Sequence, residues 1–322
     1  MNIFAYSIKR IFQAIPLLIL VSIISFTIIK FSPVDPLAEL KLNPNITPQT
    51  LAIEKQRLGL DLPYYRQYIR WASNFCRGNL GISTSGEPVI NRLKERIPNT
   101  LLLSFTTIFM TWIVGIPLGI YAALNWRKPV DRVLTVLSSI GMAIPSFFFA
   151  LLLLIFAVKT GWFPVGGLTS AGFEGFSPLH KFFDIVHHLI LPTTVLFTIS
   201  LAGLQRQVRG NLLDVLESDY VKLAKAKGLS ENVVVYKHAL RNAINPMVTL
   251  LGFEFASLLS GAALTEYVFQ YPGLGRLVLE AVMKSDINLV MASLMIGSIM
   301  LILGNLIADI LLRIVDPRIG AE

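Results

Sequence analysis

The chain has 322 residues, of which 54% are hydrophobic and 15% charged, with a mean hydropathy of +0.64 and a formal charge of +8. A soluble domain carries about 25% charged residues, so these values exclude a water-soluble globular protein and point to an integral membrane protein. The basic residues lie between apolar runs rather than in one solvated domain, which argues against a nucleic-acid partner. The single cysteine, Cys76, excludes an intramolecular disulfide and a cysteine-based metal cluster and is expected to be a small packed residue.

Spanning a bilayer core takes about 20 apolar residues. The first candidate, Ile11–Ile29, follows Lys9 and Arg10 and lacks an Ala-x-Ala cleavage site, so it reads as a retained signal-anchor, with residues 1–31 as the N-terminal unit. Residues 32–98 form a polar, partly helical segment. Helices are expected at Thr47–Leu58, opened by a Thr47-Pro48 cap pair, and at Tyr65–Phe75. Residues 99–322 hold five more spans: within Thr100–Leu124, Val133–Val158, a short one at about Leu189–Leu204, about Met247–Leu264, and Ile287–Ala308. Pro16, Pro117 and Pro145 fall inside spans and are expected as tolerated kinks. The expected fold class is all-α integral membrane with six transmembrane helices.

Charge sets the orientation. With the N-terminus inside, the inner segments hold fourteen basic residues and the two short outer loops hold four. Residues 30–96 carry ten more on the outer side, and segments of that length escape the rule. The expected topology is N-in/C-in, with residues 205–246 as the largest inner loop and 32–98 outside. The outer segment is either a small cap packed on the spans or a docking surface.

The inner loop contains "DYVKLAKAKGLSENVVVYKHALRNAINP", from Asp219 to Pro246. Leu213, Leu216, Tyr220 and Leu223 recur at spacings of three and four and define an apolar stripe. Gly228 then ends the helix in the left-handed conformation, with Leu229 placed to fold back on Leu223. Ser230 is a suitable N-cap for a second helix, with Glu231 in its first turn. The expected product is a helix–Gly–helix elbow. It is either a hairpin resting on lipid head groups or a rigid docking device joined directly to two spans.

Against the pattern Glu-Ala-Ala, three residues, Gly, nine residues, Ile-x-Leu-Pro of ABC-importer permeases, Gly228, Ala224 and Leu240 match. Lys222, Leu223, His238 and Arg241 depart from it. "DYVKLAKAKGLS" and "KHALRNAINP" closely resemble the dipeptide/oligopeptide/nickel-type permease subunits. "RLGLDLPYYRQYIRW", "GNLGIS", "ERIPNTLLLS", "LILPTTVL", "YPGLGRLVLEAV" and "VDPRIG" extend the resemblance over nearly the whole chain. It implies a multi-pass subunit of a bacterial inner membrane with the type I ABC-importer permease fold, importing di- or oligopeptides or a related solute such as a nickel chelate. The implied partners are a second homologous permease subunit, two cytoplasmic ATPase subunits, an external solute-binding protein and membrane lipid. The elbow becomes the ATPase-coupling loop, carried by Tyr220, Ala224, Ala226, Lys227, Gly228, Leu229 and Ser230.

No G-x-x-x-x-G-K-[ST] phosphate loop occurs, so ATP is expected on the partner ATPases and no enzyme activity or cofactor is expected here. His187 and His188 are adjacent and diverge on a helix, while His180 and His238 are isolated, so no metal site is expected. Glu254 lies inside the fifth span, where a charge costs roughly 2.5–3.5 kcal/mol on insertion scales. It shares a helical face with Ser257 and Gly261, which fits either a substrate path or a buried packing role. A secondary transporter or channel working without ATP is the competing class. The single elbow and the lack of a second intramembrane charge count against it.

Overall fold

A computed structural model describes residues 3–31, 37, 41, 46–57, 59–244, 246–247, 250–251, 254, 258 and 262–315. These residues are helical apart from turns, and Ile82 and Pro88 form an isolated antiparallel bridge. The helices are α1 (Ile3–Phe31), α2 (Pro48–Arg57), α3 (Tyr64–Cys76), α4 (Val89–Leu124), α5 (Pro129–Ala143), α6 (Ser146–Thr160), α7 (Pro178–Leu216) and α8 (Asp219–Ala226). A π-helix, Val233–Ala239, runs into α9 (Leu240–Ala243), followed by α10 (Ala263–Val268), α11 (Leu274–Met283) and α12 (Ile287–Val315). Among the described residues four helices are long and apolar enough to cross a membrane, or five if one bent pair counts as a single span. Most of the expected fifth span, Met247–Leu264, lies outside the described residues.

Both helices expected in the outer segment are present. Thr47 Oγ1 accepts from the Thr50 amide at 3.3 Å, as the cap pair requires. In α3 the face Tyr64, Tyr68, Trp71 and Phe75 turns toward α1. Phe26 meets the Tyr64 and Tyr68 rings edge-on at 5.4 and 5.5 Å, and the Ser22 and Tyr68 hydroxyls are 2.8 Å apart. Cys76, expected to be packed, ends this helix and is exposed, because it lies off the aromatic face.

The expected third span, Val133–Val158, is two helices. α5 and α6 have 15 residues each and meet at 95°. Pro145 has no amide to continue the ladder, and the residue before it, Ile144, sits extended at φ −81°, ψ 121°. Each half is roughly 22 Å long, short of a bilayer core of roughly 30 Å. The fourth span is the opposite case. Expected to be short, it is one 39-residue helix, α7, with Pro192 inside it.

α4 and α7 form the central pair. Gly119 lies so close to α7 that a Cβ there would sit 2.5 Å from Val208 Cβ. This close approach of small residues is how helices associate where lipid removes the hydrophobic drive. About three turns into α4, Asn99 Nδ2 donates to Pro272 O at 2.8 Å, and the Tyr271 hydroxyl donates back to Asn99 O at 2.8 Å. Thr100 Oγ1 donates to the fully buried Glu266 at 2.8 Å and accepts the Leu274 amide at 2.6 Å. Glu266 also accepts the Arg276 amide at 2.9 Å, so it caps the start of α11. Burial, then the Glu266 charge, raises the Tyr271 phenol above its ordinary value. "ERIPNT" and "YPGLGR" thus interlock in space.

Gly273 is what lets Glu266 in: a Cβ there would lie 2.2 Å from the Glu266 carboxyl carbon. Gly273→Ala is expected to destabilise the fold by about 1–3 kcal/mol, read as a lower thermal midpoint in detergent. Gly297→Ala is the control, since a Cβ there meets nothing within 4 Å. Equal midpoints for the two variants would overturn this account of the Glu266 cap.

Candidate functional site

The elbow forms as the local chemistry dictates. α8 starts after Ser218 and ends at Lys227, and Gly228 sits at φ +79°. The Gly228 amide donates to Lys225 O at 3.0 Å and the Leu229 amide to Ala224 O at 3.4 Å. This is the paired bond pattern of a Schellman stop, with glycine at the left-handed position. Ser230 O then accepts the Val234 amide at 3.0 Å, opening the second arm. That arm is a π-helix over Val233–Ala239, a local widening of the ladder seen mostly in short stretches.

The phase of the first arm differs from the expected stripe. Leu213 and Leu216 are half-buried, while Tyr220 and Leu223 are exposed. The buried positions are Leu212, Val221 and Ala224. The reason is a break: α7 ends at Leu216 and α8 begins afresh at Asp219, so a period read across Glu217 and Ser218 loses register. Val221 and Ala224 pack with Val234, Ala239 and Ala243 of the second arm, with Val208 and Leu212 of α7, and with Ile120 and Ala123 of α4. The elbow is therefore fixed to the ends of both central helices.

Of the expected loop residues, Ala224 is buried in that cluster, and Tyr220, Ala226, Lys227, Gly228, Leu229 and Ser230 are exposed. The Tyr220 hydroxyl accepts from Asn242 Nδ2 at 2.7 Å, tying the two arms together. Leu229 and Leu223 remain 41% and 57% exposed, so the fold-back at the stop is carried by backbone bonds. Sequence reasoning missed Val233 and Tyr236, which add exposed apolar surface on the second arm. It also missed the Asp131–Arg209 pair beside the elbow. Asp131 follows Pro129 at the spacing of a first-turn acid behind a helix-starting proline, a signal that was available.

Glu254 Oε2 accepts from Trp112 Nε1 of α4 at 2.9 Å, and the Glu254 side chain is half-buried. Ser257 and Gly261, expected on its face, lie outside the described residues. Three histidines have other contacts. His188 Nδ1 is 2.8 Å from Asp184 O, His187 Nε2 is 2.9 Å from Trp162 O, and His180 stacks on Phe176 with centroids 4.0 Å apart.

Residues 115–321 match the family described as "Binding-protein-dependent transport system inner membrane component", and residues 3–106 match the N-terminal family of the same systems. The chain is 41% identical over 318 residues to the oligopeptide transport system permease protein AppB of Bacillus subtilis (strain 168), covering 98% of this chain and 99% of that one. It is 36% identical over 326 residues to the di/tripeptide transport system permease protein DppB of Pseudomonas aeruginosa (strain UCBPP-PA14), covering 97% of each. It is also 36% identical over 316 residues to the glutathione transport system permease protein GsiC of Escherichia coli (strain K12), covering 98% of each. In fold it is similar to a chain of the MetNI methionine ABC transporter in an inward-facing conformation, with a TM-score of 0.57 at 18% identity. That match covers 71% of this chain and 98% of the other.

Proposed function

The chain belongs to the binding-protein-dependent transport system inner membrane components, and from that premise we propose that it is the permease subunit of an ATP-driven importer of di- or oligopeptides. It lies in a bacterial cell membrane with both ends in the cytoplasm, and the expected span at about Met247–Leu264 makes up the six. A sister permease completes the substrate path, two ATPase subunits sit below, and an external solute-binding protein delivers the peptide. The peptide class rests on the relatives, which are named for oligopeptide, di/tripeptide and glutathione transport.

One observation carries the coupling role. The Gly228 elbow is a rigid, Schellman-stopped shape whose inner face is packed onto α4 and α7 and whose outer face is exposed. A force applied there acts on two helices at once. The Gly228 Cβ position has no atom within 4 Å, so any side chain there is strained by φ +79° alone. That strain costs on the order of 1–3 kcal/mol. Gly228→Val is expected to reach the membrane at normal abundance, to co-purify less ATPase and to lose peptide uptake. Uptake at the wild-type rate would show that the elbow is not the coupling element.

Orientation is supported by the charge asymmetry and by the way the ends meet. Arg10 of α1 pairs with Asp309 of α12 at 2.9 Å. The starts of α4 and α12 share a cluster, through Val89 and Leu289, while α4 ends in the elbow cluster. This arrangement favours both chain ends on the elbow side. Ser85, exposed at the tip of the loop before α4, tests it. Ser85→Cys in a Cys76→Ser background is expected to react with an impermeant thiol reagent in cells whose outer surface is open to it. Reaction only after lysis reverses the topology.

We also place Glu254 on the substrate path. Glu254→Gln keeps an acceptor for Trp112 and removes the charge. Abundance is expected to hold while uptake of cationic peptides falls and that of neutral peptides does not. Equal effects on every peptide would assign Glu254 to packing.

A further inference from the structure

α5 is fastened to the elbow-side half of α7 at three levels. Asp131, 3% exposed in the first turn of α5, accepts Nε and Nη2 of Arg209 at 2.5 and 2.9 Å, and the Arg127 amide at 3.1 Å. Two turns further on, the Ser138 hydroxyl donates to Gln205 Oε1 at 2.6 Å, with both side chains buried. Beyond that, Gly141 lies flat on α7: a Cβ there would be 3.3 Å from Thr198 O and 3.5 Å from Ala202 Cβ. The rungs pair 131 with 209, 138 with 205 and 141 with 202, an antiparallel ladder.

Beyond the ladder the two helices take different courses. α7 runs unbroken to Leu216 and enters the elbow, with Leu204, Val208 and Leu212 inside the elbow's own cluster. α5 ends at Ile144–Pro145, where the chain turns into α6. α6 packs elsewhere: Ala150 and Ala157 meet Leu191 and Val195 of the other half of α7, and Phe269 beyond α10.

We propose that this ladder makes α5 and the elbow-side half of α7 one rigid lever, so that a displacement of the elbow is delivered to the broken third span, with Ile144–Pro145 as the joint. Asp131 and Arg209 are positioning residues for transport. The bidentate fork fixes separation and rotation together, which a single apolar contact cannot do. Slippage by one turn would leave the buried Asp131 carboxylate unpaired, and that penalty holds the register. The inference rests on the elbow as the ATPase seat and adds the route by which its motion reaches the path.

Two variants test it in the assembled transporter. In a Cys76→Ser background, Gly141→Cys with Ala202→Cys places two Cβ atoms about 3.5 Å apart, within the range that closes a disulfide. If α5 and α7 move as one body, uptake is the same oxidised and reduced. A fall on oxidation that recovers on reduction would overturn the lever. The second variant, Asp131→Asn with Arg209→Gln, removes both charges and so leaves no lone buried ion. It is expected to keep abundance, bound ATPase and ATP hydrolysis while peptide uptake falls by about tenfold. A purely structural pair predicts wild-type uptake once abundance is normal, and that result would sink the proposal. Failure here is told apart from failure of the elbow reading, because the latter is read in Gly228→Val through ATPase co-purification.

Discussion

A carboxylate taken out of water costs several kcal/mol unless its lone pairs are met. Among the described residues four are buried: Asp131, Asp184, Glu266 and Asp286. Each is met by partners from another part of the chain. Asp131 takes Arg209, Asp184 takes the Ser170 amide and hydroxyl, and Glu266 takes Thr100 and the start of α11. Asp286 caps its own helix through the Leu289 amide at 3.0 Å and holds Ser83 and the Thr84 amide of the loop before α4. These acids therefore act as knots. Glu266 and Asp286 satisfy helix N-termini, which need acceptors in any case, and all four join separate segments of the chain.

The knots sit at the two ends of the bundle and leave the middle to packing. There the face of α4 carrying Ser104, Thr107 and Thr111 is buried, and Gly115 and Gly119 let α7 approach. Thr107 returns its hydroxyl to Leu103 O at 2.8 Å, which keeps a small polar group satisfied without a partner helix. α6, whose buried side chains are the small Ala150 and Ala157, has a lighter grip on its neighbours.

What could be read from the sequence was what is local. The left-handed Gly228 with its backbone stop and the cap at Thr47 depend on neighbours within a few residues, and both hold, whereas the fold-back of Leu229 on Leu223 expected at that stop buries neither side chain. The four long helices were visible as apolar runs, but their ends were not, because polar ends such as Asn91–Arg96 on α4 and His180–Asp184 on α7 continue as helix. Proline was ambiguous. Pro16, Pro98, Pro117 and Pro192 are carried inside continuous helices, and Pro145 is not. Whether a freed carbonyl is satisfied depends on which helix lies beside it, a tertiary fact that no window of sequence holds. Likewise Glu254 stood out because its surroundings are apolar, whereas Glu266 and Asp286 resemble ordinary loop charges until their partners are known.

The elbow's own packing bears on the choice between a hairpin on lipid and a docking device. An amphipathic helix on a bilayer must give its apolar face to the acyl boundary. In α8 that face is Val221 and Ala224, and it is already covered by the second arm and by α7. Leu223 and Ala226 remain on the opposite side, followed by Gly228 and Leu229 at the turn, all exposed and set among Lys222, Lys225 and Lys227. This side points away from the cluster that joins the elbow to α4 and α7. An exposed apolar knob ringed by ammonium groups on a rigid stem suits a protein groove that is apolar at its floor and acidic at its rim.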